Sequence, residues 1–195
     1  PEFIETLAKH HTGGQLSVVA VPLKKKVLDK MKKPAVESYE RFAEQFQCAS
    51  EEAGKNQFLV PYFISGHPGS TLKDMVDLAL WLKARNMKPR QVQDFIPTPM
   101  SLATTMYFTG IDPLSRTPVY TARDLYEKRL QKQLIFYWDP SHHEETREAL
   151  VKAGRADLIG TKPGSLVPPA SGKGSLSIHK QRAGAKPRPC RERRG

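Results

Sequence analysis

Between residues 58 and 71 the chain runs Phe58-Leu59-Val60-Pro61-Tyr62-Phe63-Ile64-Ser65-Gly66-His67-Pro68-Gly69-Ser70-Thr71. An apolar, β-rich run ends in a small polar turn with one histidine, and a helix start follows at once. Strands joined through helices run parallel, and such crossovers are right-handed. Polar atoms then gather at the carboxyl ends of the strands, where open α/β sheets and barrels do their chemistry. The same grammar returns at Gln91-Val92-Gln93-Asp94-Phe95-Ile96, followed by Pro97-Thr98-Pro99. Two such units in succession predict a slice of a larger parallel βα structure.

The flanking segments fit this pattern. Phe3, Ile4, Leu7 and Ala8 share a face and predict a helix over 2–10, ended by Gly13-Gly14. Leu16 to Val21 is β-branched and reads as a strand stopped by Pro22. Val27, Leu28 and Met31 mark a short helix, and its lysines between Lys24 and Lys33 read as a solvated face. Val36, Tyr39, Phe42, Ala43, Phe46, Ala49 and Ala53 keep the helical period up to Gly54. Pro61 is unusual inside a central strand and predicts a place near the strand start or at a bulge. Thr71 and Asp74 have the spacing of a capping box, with Asp in place of Glu. Leu72, Met75, Val76, Ala79 and Leu82 form the inward face of that helix. Pro97 stops the third strand. The predicted order is α, β, α, α, β, α, β. Three parallel strands alone leave edges and a face uncovered, so the segment reads as incomplete by itself.

After residue 100 the pattern changes. Met106 to Leu114 reads as a loop. Thr121 is the expected cap of a helix through Tyr137, with Leu125, Leu130, Leu134 and Tyr137 inward. A second helix follows Asp139-Pro140, with Thr146, Ala149, Leu150 and Ala153 inward and Gly154 at its end. Leu158, Ile159, Leu166 and Val167 are expected to fold back on the pair. From Pro169 the chain is rich in Gly, Ser, Pro and cations, and disorder is expected.

The formal net charge is +11, but residues 169–195 carry eight cations against Glu192 alone, so +7 belongs to that tail. The high pI is therefore mostly a property of the tail. Such a tail permits non-specific, salt-sensitive contact with nucleic acid, although no aromatic residue in it supports base stacking. Cys48 and Cys190 lack metal-ligand spacing and do not make a disulfide framework. With no apolar run near the length of a membrane span, a soluble, cytoplasmic protein is expected. His10-His11 and His142-His143 are adjacent pairs that do not share a helical face, which argues against chelation. The chain starts at Pro1 within a helix-like segment and reads as a piece of a longer protein.

Phe58 to Thr71 with Asp74, Ala79-Leu80-Trp81-Leu82-Lys83, Gln91-Val92-Gln93, Pro97-Thr98-Pro99-Met100 and Met106-Tyr107-Phe108-Thr109-Gly110 with Asp112-Pro113-Leu114 together resemble the YgiQ-type radical SAM proteins. The likeness continues through Lys128-Arg129, Gln131-Lys132, Tyr137, Asp139-Pro140, Arg147-Glu148-Ala149-Leu150 and Gly154 to Gly160. It reaches back to Pro1-Glu2-Phe3-Ile4 and to Val27-Leu28 with Met31, Lys33 and Pro34, covering roughly residues 1–168. The resemblance implies an α/β fold: a partial parallel βα (TIM-like) barrel fragment, then a small helical extension and a disordered basic tail. The implied division is 1–105 for the C-terminal half of the barrel, 106–168 for the family-specific extension and 169–195 for the tail. It implies S-adenosylmethionine and a [4Fe-4S] cluster as cofactors of the full-length family, with reductive cleavage and radical chemistry on an unknown substrate.

Two departures stand against catalysis by this chain alone. The family's Cys-x3-Cys-x2-Cys motif has no counterpart here, so the cluster ligands are absent from these residues. Related sequences carry Ala-Pro-Glu-His where this chain reads Ala20-Val21-Pro22-Leu23. Whether the chain acts as an enzyme is left open, and the alternative is a basic RNA- or ribosome-binding module without catalytic activity.

The candidate cofactor-binding residues are Ser65, His67, Gln93, Pro97 and Thr98. His67 and Ser65 sit at a strand end, where a ligand contact and the shaping of a turn are both open. Gln93 either faces a ligand from inside the barrel or fills a packed lumen. Pro97-Thr98 either lines a pocket through backbone groups or simply ends the strand. No metal ligand and no catalytic acid, base or nucleophile is assigned.

Overall fold

A computed structural model describes residues 2–19, 25–34 and 36–170. The segment Ala20 to Leu23 and residues 171–195, on which the departure and most of the tail fall, lie outside the described residues. The fold is mixed α/β. Its small sheet has the order β1 (Gln15–Val19), β2 (Phe58–Ser65), β3 (Val92–Asp94), all parallel. Helices intervene: α1 (Glu2–Thr6) runs on as a π-helical turn to His11, α2 (Lys25–Met31) and α3 (Val36–Glu52) follow β1, and α4 (Leu72–Ala84) joins β2 to β3. Beyond the sheet come α5 (Leu102–Thr109), α6 (Leu125–Ile135) and α7 (His143–Lys152). Among the described residues no helix is long and apolar enough to cross a membrane.

Pro61 lies in the middle of β2, and the register explains why it is tolerated. Phe58 donates its N–H to Gly14 on the β1 side at 2.9 Å, and the Ser65 carbonyl accepts from Phe95 on the β3 side at 2.8 Å. Backbone groups alternate between neighbours along a strand, so residue 61 faces the β3 side. There β3 pairs only with residues 63–65, while β1 pairs with 58–62. The missing N–H of Pro61 therefore costs no ladder bond.

Side chains alternate in the same way. Leu59 packs against the cluster of Ala8, Phe46 and Ala49, and Phe63 lies in the main core, so odd-numbered β2 residues face the helices. Even-numbered residues face away. On that side Phe58 is 57% and Val60 37% exposed, and the register adds Gln15, Ser17 and Gln93. The helices of both cores thus cover one face of the sheet.

The main core crosses from the sheet into the following helices. Phe63, Met75, Leu82 and Val92 share it with Leu130, Leu134, Ala149, Leu150, Leu158 and Val167. The predicted capping box closes α4: Thr71 N donates to Asp74 Oδ2 at 2.8 Å, and Asp74 N to Thr71 Oγ1 at 3.3 Å. The chain folds back after α7 as expected, with Ile159 bridged to Val167.

Several expectations are corrected. Part of the predicted loop from Met106 is helical: Ser101 caps α5 by accepting from Thr104 N, and Gly110 ends it with φ 72°. Helix α6 begins at Leu125 with Asp124 as its cap, later than Thr121, and Leu125 is 80% exposed instead of buried. It occupies the first helical position, one turn before the buried face at Leu130 and Leu134 begins. The lysines of α2 are not simply solvated. Lys26 pairs with Asp74 at 2.8 Å, and Lys30 pairs with Asp112 at 2.6 Å. They lie four residues apart on one helix face, so a single face meets both carboxylates.

Substituting Phe63→Ala or Leu150→Ala is expected to cost about 3–5 and 2–5 kcal/mol respectively. Because the core is shared, both are expected to shift one cooperative urea transition; separate transitions for the two variants would contradict the shared core. The donors around Asp112, Lys30 first and then Leu114 N, hold its carboxyl well below the usual value. A depressed acid stabilises the fold above its unfolded pKa of about 3.9 and loses that contribution as pH falls through the folded value. Asp112→Asn is therefore expected to lower Tm at neutral pH, with the difference from the parent shrinking below about pH 4.

Candidate functional site

The turn after β2 is fixed by two glycines in the left-handed region, Gly66 at φ 70° and Gly69 at φ 89°. Gly69 N donates to Tyr120 O at 2.7 Å, tying the turn to the chain that leads into α6. Between these glycines His67 is only 5% exposed. Its Nδ1 lies 2.8 Å from the Pro68 carbonyl. A carbonyl only accepts, so Nδ1 carries the proton and Nε2 is left as an acceptor. Burial lowers the His67 pKa, and the Pro68 contact only partly opposes this.

An aromatic row continues from His67. Its ring meets Phe95 edge-on at 5.2 Å, and Phe95 meets Tyr107 at 5.8 Å. Lys128 of α6 donates to the Tyr107 hydroxyl at 2.7 Å and lies 4.5 Å from that ring's centre. Beside the row, Asp94 at the end of β3 accepts from Ser65 Oγ and from Lys132 Nζ, each at 2.8 Å. The strand ends of β2 and β3 are thus joined to α5 and α6.

The five candidates are not brought to one surface. Ser65 is buried and turned to the helix side, where Asp94 engages its hydroxyl. Gln93 pairs with Ile64 on the opposite, open face and is exposed. His67 lies beyond the strand, in the turn. Pro97 is half-buried and Thr98 exposed, and the Thr98 carbonyl accepts from Ser101 and Thr104 at the start of α5. Asp94, Phe95, Tyr107, Lys128 and Lys132 were not singled out from the sequence. The spacing of Lys128 and Lys132, four apart on one helix, is the signal that marks them. Among the described residues no group of three His, Cys, Asp or Glu is placed to hold a metal ion, and Cys48 is exposed on α3.

The geometry around His67 sets a pH dependence. Where the folded pKa of a histidine is depressed, the unfolded chain binds more protons and stability rises with pH up to the unfolded value, about 6.5. The His67 resonance is expected to titrate below that value in an NMR experiment. His67→Gln is expected to flatten the loss of stability on the acid side of about pH 6.5; a titration midpoint above it would contradict the buried, neutral ring.

Comparison with known proteins gives concordant results. Residues 90–192 match the family model of a domain of unknown function, DUF3362. A UPF0313 protein of Bradyrhizobium diazoefficiens is 43% identical over 95% of this chain and 29% of its own length. UPF0313 proteins of Methanosarcina acetivorans and Clostridium botulinum are 45% and 46% identical over 85% and 86% of the chain, and 22% and 26% of their own lengths. The chain thus spans less than a third of the curated relatives it matches. No solved structure matches it. With matches of this strength over most of its residues, the chain belongs to the UPF0313 (YgiQ) family, and residues 90–192 carry that family's C-terminal domain.

Proposed function

We propose that this chain is an arc of a parallel βα barrel from a radical S-adenosylmethionine protein, together with the extension over residues 106–168. The observation that carries this reading is the one-sided sheet. Its helices cover one face, while apolar Phe58 and Val60 and polar Ser17 and Gln93 lie on the other. A free-standing α/β sheet covers both faces, and a barrel turns one face inward. The staggered pairing of β2, first with β1 and then with β3, suits tilted barrel strands.

Within this reading Gln93 faces the barrel interior, His67, Pro97 and Thr98 stand at the strand ends around it, and Ser65 holds the end of β2 to β3 through Asp94 on the helix side. Gln93 offers an amide on the inward face. His67 offers a neutral ring nitrogen at the strand end. The residues of this chain do not fit a cluster: the described residues hold no ligand set, and Cys190 lies outside them. The iron ligands are assigned to another part of the whole protein. The other reading from the sequence, a basic RNA- or ribosome-binding module, finds no support in the names of the relatives, and most of its tail lies outside the described residues.

The test is made on a full-length relative, that of Methanosarcina acetivorans, reconstituted with iron and sulfide without oxygen. Given a reductant and S-adenosylmethionine, it is expected to release 5′-deoxyadenosine. Alanine at the positions aligned with His67 and Gln93 is expected to lower that yield about tenfold. The 195-residue chain treated alike is expected to retain no cluster. A full-length protein that binds no iron, or that holds iron and leaves the sulfonium intact, overturns the proposal.

A further inference from the structure

We infer that the groove between the end of β3 and α6 binds a carboxylate carried on an apolar body, with Lys128 as its counter-charge. The groove has a volume of about 470 Å³ and is lined by Asp94, Phe95, Leu125, Lys128, Arg129 and Lys132. Two of its three cations are matched. Arg129 pairs with Glu145, and Lys132 pairs with Asp94. Lys128 is different: it is half-buried, and among the described residues its ammonium meets only the Tyr107 hydroxyl and ring. It forms no ion pair among the described residues.

A half-buried ammonium whose neighbours are neutral keeps its attraction for an anion. Tyr107 strengthens the site. Its oxygen accepts from Lys128, which leaves its own O–H to donate. A carboxylate beside Lys128 is thus offered two donors, one of them charged. One unmatched positive charge suits a monoanion, and a phosphate dianion would leave charge uncompensated. Beside the paired Asp94, Arg129 and Lys132 and the amide of Gln133, two apolar side chains line the wall. Leu125 is 80% exposed, and Phe95 is half-buried against the rings of His67 and Tyr107. The assignment of this carboxylate to the substrate rests on the strand-end reading proposed above; the binding itself does not.

The experiment is an amide NMR titration of the 195-residue chain with benzoate, benzyl alcohol and inorganic phosphate. Benzoate is expected to give saturable shifts at Phe95, Tyr107 and Lys128, benzyl alcohol none, and phosphate only weaker ones. Lys128→Met is expected to weaken benzoate about tenfold, and Lys128→Arg by no more than about threefold. Tyr107→Phe, which removes only the hydroxyl, serves where Lys128→Met does not fold and is expected to weaken benzoate about threefold. Non-saturable benzoate shifts, an unchanged affinity in these variants, or phosphate binding as tightly as benzoate overturns the inference. None of these outcomes depends on iron or on sulfonium cleavage, so failure here is distinct from failure of the barrel reading.

Discussion

Phe63 stands in the core that β2, α4 and β3 share with α6 and α7, and the alternation of side chains along β2 puts it there. Once Phe63 is committed to the helices, Phe58, Val60 and Ile64 are committed to the other face, and Val92 and Gln93 divide in the same way through the register. A slip of one residue would bury Gln93 and expose Phe63. The hydrophobic set therefore fixes both the packing and the side from which polar groups are presented. The residues after the sheet are not a separate body, since Leu130, Leu134, Ala149 and Leu150 are buried in the same core.

This shared packing also assembles the strand-end cluster. His67 comes from the turn after β2, Phe95 from the chain after β3, Tyr107 from α5, and Lys128 and Lys132 from α6. None of these segments has the group by itself. Helix α2 ties further segments to this arrangement. Its Lys30 ties Asp112 in the loop after α5, and its Lys26 reaches Asp74, which also closes the capping box. The Lys26–Asp74 pair, with its lysine largely exposed, acts chiefly by fixing position.

Much of the architecture was legible beforehand. The helical period placed α3 and α4, the strand run at 58–65 coincides with β2, and the Thr71–Asp74 spacing marked a real capping box. Errors arose where local chemistry was ambiguous. Leu102 to Thr109 has two adjacent threonines and only Met106 buried, so its helix depends on the Ser101 and Gly110 caps more than on an apolar face. Leu125 is apolar but sits at the first helical position, outside the buried stripe. The lysines of α2 read as a solvated face because their carboxylate partners lie more than forty residues away in the chain. At the site, position along the strands pointed to Ser65 and His67 at one strand end and to Gln93 inside the third strand. It did not tell which side of the sheet each would take.

The amino-acid sequence by itself determined the parallel βα succession, the buried faces of its helices and the turn that carries His67, because each follows from a local period or a glycine at a required backbone angle. Only the tertiary structure decided that Ser65 turns to Asp94 while Gln93 turns away from the helices, and that Lys128 reaches Tyr107 with no carboxylate beside it among the described residues. Those facts depend on strand register and on the docking of α6 against the sheet. They are set by contacts between segments far apart in the chain, which no local pattern records.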